Sequence, residues 1–353
     1  MNQPSSRPDI SVVVLNYNGN AWMKPCLDSL ARQTNFDRIE IIVTDNKSSD
    51  GSDQYAADWL RQNGKGQVVQ NGTNLMYCGA NNNGAAVATG EFLLFLNNDT
   101  WLEPECLERL HRATMEAGAD ASSPKVRDYD DSTFQNCGSP GLDIFGLTTK
   151  TKEATTMGKI FSAPGCSLFI RTEMFRKIGE FAPELLIFAD ETDLCWRVWI
   201  SGGSIVTVPD AVLHHRGAAA FNPKGATKAV ESRTTDTKRF LANRNGILFL
   251  RKNFEHWWFR YLFLSFHLIL LLIEAIISFA MVRRWSYIRR SYIEAISEAF
   301  SMTAHVREWR RRIVGFRRRS DFWILQHFFR LRPGRWDEVQ RLWKFGTPKV
   351  DSR

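Results

Sequence analysis

Short apolar runs alternate with helical patterns through the first third of the chain, and the clearest runs each stop in a polar loop. This order constrains the fold more than any other feature. Ile10-Ser-Val-Val-Val-Leu15 reads as a buried parallel strand. Asn16-Tyr-Asn-Gly-Asn20 follows as turn chemistry, and Trp22, Cys26, Leu27 and Leu30 then recur at helical spacing. Ile39–Thr44 is a second strand and ends in the polar loop Asp45–Gly51, with a helix expected over Ser52–Asn63 and a strand near Gln67–Gln70. Asn71–Gly84 is rich in Asn and Gly. Glu91–Leu96 is a further strand that runs into Asn97-Asn-Asp-Thr100, and Pro104 opens a helix to about Ala117. Strands alternating with helices predict an α/β doubly wound sheet. In such sheets ligands gather at the carboxyl ends of strands, where all three loops lie.

The middle of the chain is less regular. Gly165–Arg171 has the pattern of a strand and Glu173–Ile178 of a short helix. Asp190–Ile200 reads as a helix with an acidic first turn, which suits the helix dipole, and Asp193 and Arg197 are spaced to pair on it. Ser204–Val208 is expected as a strand that stops at Pro209, before His214-His-Arg-Gly217.

The C-terminal part differs in composition. From Arg283 onward there are 18 Lys and Arg against 7 Asp and Glu, whereas the first 282 residues are nearly neutral. Seven of the 12 Trp residues follow residue 256: Trp257, Trp258, Trp285, Trp309, Trp323, Trp336 and Trp343. Trp mixed with Arg suits a membrane–water interface with anionic headgroups. RNA binding uses similar residues, but an aromatic RNA-binding signature is missing, so no nucleic-acid partner is expected. The six cysteines form no Cys-x-x-Cys pair, which argues against zinc ribbons and redox dithiols. The first eight residues read as a leader without an apolar signal-peptide core, so a cytosolic body with reduced thiols is expected.

Tyr261–Val282 is long enough to span a bilayer, but Arg260, His267, Glu274 and Ser278 fall close to one helical face. A single crossing would also place the basic tail outside, against the positive-inside tendency. The expectation is a peripheral or monotopic arrangement, with this helix in the cytoplasmic leaflet and the tail on anionic headgroups. A helix packed on the protein's own body and a true single span are the alternatives.

The first candidate ligand for the sheet is a dinucleotide. The loop Asn16–Asn20 has one glycine, not Gly-x-Gly-x-x-Gly, and no Walker Gly-Lys-Ser/Thr ending follows. A metal-assisted nucleotide site fits better. Tyr17 can stack on a base, Asp45 can accept from a base N–H, and Asp99 can ligate Mg²⁺ or Mn²⁺ bridging two phosphates.

The ordered motifs Val12-Val-Val-Leu-Asn-Tyr-Asn-Gly, Val43-Thr-Asp-Asn-Lys-Ser-Ser-Asp-Gly-Ser52, Asn74…Gly79-Ala-Asn-Asn-Asn-Gly84 and Gly90-Glu-Phe-Leu-Leu-Phe-Leu-Asn-Asn-Asp-Thr100 are joined by Gly165-Cys-Ser, Asp190-Glu-Thr-Asp-Leu-Cys-Trp-Arg197 and Pro209-Asp-Ala-Val-Leu-His-His-Arg-Gly217. Together they resemble a family 2 glycosyltransferase of the GT-A fold over about residues 9–255, in the flavour of bacterial rhamnosyltransferase-like enzymes that build cell-surface polysaccharide. Residues 256–353 then form an apolar helix and a basic amphipathic, membrane-associated helical extension.

The resemblance implies site residues. Tyr17, Asp45 and Asn81 fall at nucleotide-binding positions. Asp99 matches the last residue of the family's Asp-x-Asp motif, here Asn97-Asn-Asp, and His215 or its neighbour His214 matches a histidine near the metal. The pair Asp190-Glu191 matches the family's catalytic acids and puts the base at Glu191, with Asp190 the alternative. Asp193 looks structural. Gly165, Cys166 and Ser167 fall on the acceptor side. The implied reaction is inverting transfer of a hexosyl or deoxyhexosyl unit from a nucleotide diphosphosugar to a hydroxyl of a glycan or lipid-linked acceptor. A catalytically silent sugar-nucleotide or glycan-binding module is one alternative. A nucleotidyltransferase is the other, though its basic Gly-rich first loop is missing.

Overall fold

In the computed structural model, residues 8–217, 233–334 and 349–351 are described. Trp336 and Trp343 of the basic tail, and residues 1–7 of the leader, lie outside them. The chain begins β1 (Ile10–Asn16), α1 (Asn20–Ala31), β2 (Ile39–Asp45), α2 (Ser52–Asn63), β3 (Gly66–Gln70), α3 (Met76–Val87) and β4 (Phe92–Asn97). It continues through β5 (Thr100–Leu102), α4 (Cys106–Glu116), β6 (Ala121–Asp128), β7 (Phe134–Asn136), β8 (Gly158–Lys159) and β9 (Ser167–Arg171). Next come α5 (Thr172–Lys177), α6 (Asp190–Ile200), β10 (Ile205–His215), β11 (Arg233–Thr235) and α7 (Asp236–Asn253).

The main sheet runs β3-β2-β1-β4-β9-β6-β10-β5. Its first four strands are parallel, and β9 enters antiparallel between β4 and β6. The sheet is therefore mixed. Both faces are covered, so β1, β2 and β4 are apolar almost throughout instead of alternating. One face packs against Met23, Leu27, Trp59 and Leu107 from α1, α2 and α4. The other packs against α3, α5 and α6 and the C-terminal helices.

Two local readings of the sequence change here. The Asn/Gly-rich stretch Asn71–Gly84 contains most of α3, a helix. Gly84 is required by packing, because a Cβ there would overlap Val13 of β1. The strand expected to stop at Pro209 runs on as β10 to His215. Pro209 sits where the register with β6 shifts between Val208 and Val212, a place where a strand tolerates a missing N–H. The extension pairs His215 with Thr100 of β5, and so carries His215 to the end of β4.

Beyond α7 come α8 (Trp257–Val282), α9 (Trp285–Ile288), a π-helical stretch Arg289–Glu294, α10 (Ala295–Ser301), α11 (Thr303–Phe316), α12 (Asp321–Phe328) and the short β12 (Lys349–Asp351). These helices share the core of the body: Phe254, Phe263, Trp309 and Phe328 lie in one cluster with Phe161, Trp196 and Trp199. Buried Asp321 ties α12 to the start of α8, accepting from the His256 N–H at 2.7 Å and the Glu255 N–H at 3.1 Å. The polar stripe of α8 faces the body. His267 bonds the Phe145 carbonyl at 2.9 Å, Glu274 pairs with Arg239 at 3.7 Å, and Ser278 bonds the Tyr292 hydroxyl at 3.0 Å. The opposite face leaves Trp257, Tyr261, Ile269, Leu272 and Ile276 exposed.

Candidate active site

The loop after β1 is built on Asn16. Its side-chain amide donates to Asp45 at 2.7 Å and to Ser52 at 2.9 Å, and its oxygen accepts from Asn98 at 2.8 Å. Three strand ends are thereby locked together. Tyr17, next in sequence, is 46% exposed. Asp45 is fully buried, and its carboxylate also accepts from the Ser48 hydroxyl at 2.6 Å and the Ser48 N–H at 2.9 Å. Its oxygens thus already shape the floor of this loop. Asn81 on α3 is fully buried as well, and neither amide atom has a hydrogen-bond partner among the described residues. Buried amides are normally paired, so an orphan of this kind calls for an explanation such as a bound group.

The turn after β4 presents Asp99. His215 Nε2 stands 3.4 Å from Asp99 Oδ1, while His215 Nδ1 faces the Gln135 amide oxygen at 3.2 Å. Gln135 in turn donates to the His215 carbonyl at 2.7 Å, which fixes the ring. Burial alone would weaken the hold of His215 on a proton. The adjoining Cys166 thiol and the Asp99 carboxylate outweigh it and raise the pKa well above the ordinary value. His214 points to the opposite face of the strand. It is buried, stacks on Trp101 at 3.6 Å and lies 3.4 Å from Glu103. Strand alternation thus separates the two histidines that the sequence left open.

A divalent ion would find one carboxylate oxygen and one imidazole nitrogen here, in mutual reach and with a hydrogen-bonded second partner on the histidine. Among the described residues no group of three or more His, Cys, Asp or Glu is arranged to hold a metal ion. So small a donor set fits an ion whose other positions are filled by phosphate oxygens and water. Asp99→Ala is expected to remove metal-dependent donor affinity. Calorimetry with a nucleotide diphosphosugar, with and without Mn²⁺, checks this, and an unchanged metal effect contradicts the assignment.

The acidic pair starts α6. Asp190 is buried, and Glu191 opens onto a cavity of about 340 Å³ lined by Gln135, Ser139, Thr148, Thr149 and Lys150. Burial raises the pKa of Glu191, and that of Asp190 is raised well above its ordinary value by burial and then by the Glu191 charge. The two titrate as a unit, with the pair biased toward holding a proton. Gly165 faces Glu191, for a Cβ on it would lie 3.7 Å from Glu191 Oε2. Cys166 turns to His215, and Ser167 is enclosed within β9. The dipeptide Gly165-Cys166 therefore sits between the acidic pair and the Asp99–His215 pair.

Two features hold the pair in place. The turn ahead of α6 has Leu186 at φ 63°, Phe188 at 73° and Ala189 at 58°, all strained for residues with a Cβ, at about 1–3 kcal/mol each. One turn into α6, fully buried Asp193 accepts from Arg197 at 3.0 Å as its spacing predicts, and also from Lys252 at 2.6 Å and Asn253 at 2.8 Å of α7. Burial opposes the Asp193 charge, but Lys252 and Arg197 overcome this and hold its pKa below the ordinary value. With one carboxylate facing two cations, burial draws Lys252 down to about 8.

The sequence missed Asn16, Asn98 and Gln135 as organisers of the site, and the cavity wall 147–150. Asn16 and Asn98 stood inside quoted motifs, but nothing local marked Gln135, which reaches His215 only through the pairing of β7 on β6.

A curled mixed sheet with polar and acidic side chains at its carboxyl edge, backed by C-terminal helices, is a GT-A-like α/β fold. Residues 11–179, just under half of the chain, match the family described as Glycosyl transferase family 2. Glycosyltransferase GlyG of Streptococcus pneumoniae serotype 4 is 29% identical over 123 residues, covering 35% of this chain and 40% of that relative's length. S. aureus TarS (residues 1–349) aligns with a TM-score of 0.55 at 16% identity, over 87% of this chain and 88% of that one. A mannosyltransferase from Pyrobaculum calidifontis, solved with GDP-Man and Mn²⁺, aligns with a TM-score of 0.51 at 17% identity, over 88% and 85% of the two chains. At these identities the solved structures establish the shared fold.

Proposed function

We propose that this chain transfers a sugar, with inversion, from a nucleotide diphosphosugar to a hydroxyl of a glycan or lipid-linked acceptor in cell-surface polysaccharide or glycolipid synthesis. The carrying observation is the meeting of the acidic pair with the Asp99–His215 pair across Gly165-Cys166, beside a polar cavity. Tyr17 lies against the nucleobase, and Asp45 keeps the base loop in shape. The buried amide of Asn81 finds its partner in the bound nucleotide. Asp99 and His215 hold the divalent ion, whose chemistry when bound is to neutralise charge on the leaving diphosphate. Glu191 takes the acceptor proton as the hydroxyl attacks the anomeric carbon, and the donor bond breaks in the same displacement. The hydroxyls and amides of the cavity suit a sugar unit of the acceptor. The GDP-Man and Mn²⁺ with which the mannosyltransferase neighbour was solved accord with this reading. A rhamnosyl donor is one arm of the donor panel that tests it.

The acceptor side also faces α8. His267 anchors the 143–149 hairpin, which brings Leu147, Thr148 and Thr149 to the cavity. The outward apolar face of α8, with exposed Trp285 and the neighbouring Arg283, Arg284, Arg289 and Arg290, is the pattern of a helix lying in an anionic leaflet. His267, Glu274 and Ser278 of its polar stripe are met by the body, which supports a helix lying along the body over a simple crossing. On this reading the chain works at the cytoplasmic face of the membrane on a lipid-linked acceptor. It is expected to float with vesicles containing anionic lipid, to be partly released by salt, and to lose binding in Leu272→Asp/Ile276→Asp. Equal flotation of that variant would contradict the leaflet assignment.

A further inference from the structure

The residues that carry the acidic pair are held from α7, a helix outside the matched domain. Asn245 is fully buried. Its side-chain amide donates to three carbonyls of the strained turn: Leu185 at 2.7 Å, Ile187 at 3.0 Å and Phe188 at 2.8 Å. Its oxygen accepts from Arg244 Nε at 3.0 Å, which fixes which way the amide faces. Arg244 also donates to the Glu184 carbonyl at 2.7 Å and pairs with Glu298 at 2.6 Å. From the other side the Cys78 N–H of α3 donates to the Leu186 carbonyl at 2.9 Å. The last residue of this turn, Ala189, is the N-cap of α6 in the left-handed conformation, directly before Asp190 and Glu191. Left-handed and otherwise sparse conformations at non-glycine residues persist only where surrounding bonds fix them, and Asn245 supplies more of those bonds than any other single side chain shown here.

We propose that Asn245 is a positioning residue of the transfer reaction, its amide setting the turn at 185–188 and hence the stance of Glu191 against Gly165. The proposal rests on the reading of Glu191 as the base. A loosened turn keeps Tyr17, Asp45 and Asp99 at the ends of β1, β2 and β4 but misplaces the carboxylate. The effect therefore belongs in kcat and not in donor KM.

The test uses the full chain with Mn²⁺ and a nucleotide diphosphosugar that the wild type turns over. Asn245→Ser is expected to lower kcat about 10–100-fold, the scale of a misplacement near 1 Å. Donor KM should stay within about twofold, as expected when only a transition-state contact is lost. Adding Ala189→Gly, which adopts the left-handed N-cap without a Cβ conflict, should recover part of the loss. If Asn245→Ser does not fold, Arg244→Lys removes the anchor of the amide and should move kcat in the same direction by less. A kcat per folded molecule equal to wild type in these variants, or a parallel change in kcat and donor KM, overturns the proposal. Unimpaired transfer by Glu191→Gln instead overturns the base assignment on which it rests.

Discussion

Glu191→Gln is expected to lower sugar transfer by about 10²–10⁴-fold, the range supplied by a positioned general base, while donor affinity stays at the wild-type value. Gln keeps the shape and the cavity wall but cannot take the acceptor proton. The pH dependence carries the same assignment. Burial raises Glu191 above its ordinary value, and burial with the Glu191 charge raises Asp190 well above its own. Only the deprotonated base is active, so transfer should fall as pH drops through that raised value, with an acid limb above the usual carboxylate range. Full turnover in Glu191→Gln with loss in Asp190→Asn would shift the base by one residue.

The second large effect concerns stability. Asp193→Asn leaves Arg197 and Lys252 buried without their counter-charge, which is expected to cost about 3–5 kcal/mol. For a chain of this size that corresponds to a melting temperature lower by roughly 4–7 °C. Since Asp193 titrates below its ordinary value when folded, its contribution is complete at neutral pH and fades as pH falls through that depressed value. The deficit of the variant should therefore be full at pH 7 and shrink only in strong acid. Lys252→Met in the same chain removes one of the two stranded cations and should restore part of the loss. An unchanged melting temperature in Asp193→Asn would contradict this account of the α6–α7 contact.

The parts of this molecule legible in sequence are those where local pattern and tertiary demand agree. Strands β1, β2 and β4 are continuous apolar runs because both sheet faces are covered, and their loops carry Tyr17, Asp45 and Asp99. The acidic start of α6 and the Asp193–Arg197 spacing were equally local. The extent of β10 was not legible, since Pro209 normally closes a strand and only the bulge lets this one continue. The choice between His214 and His215 also needed the strand register. The roles of Gln135, Lys252 and Asn245 arise from contacts between segments far apart in the chain. The polar stripe on α8 was visible as spacing, but its partners Phe145, Arg239 and Tyr292 lie on three other segments.

The central claim is that this site binds and cleaves a nucleotide diphosphosugar with the help of a divalent ion. Its most direct test is a panel of nucleotide diphosphosugars offered to the purified protein with Mn²⁺ or Mg²⁺, scored for nucleoside diphosphate release. The account predicts that at least one donor is consumed, that consumption stops when the metal is chelated, and that Glu191→Gln binds this donor without turning it over. A panel in which no donor is bound or consumed, or in which Glu191→Gln releases nucleoside diphosphate as fast as the wild type, would contradict it.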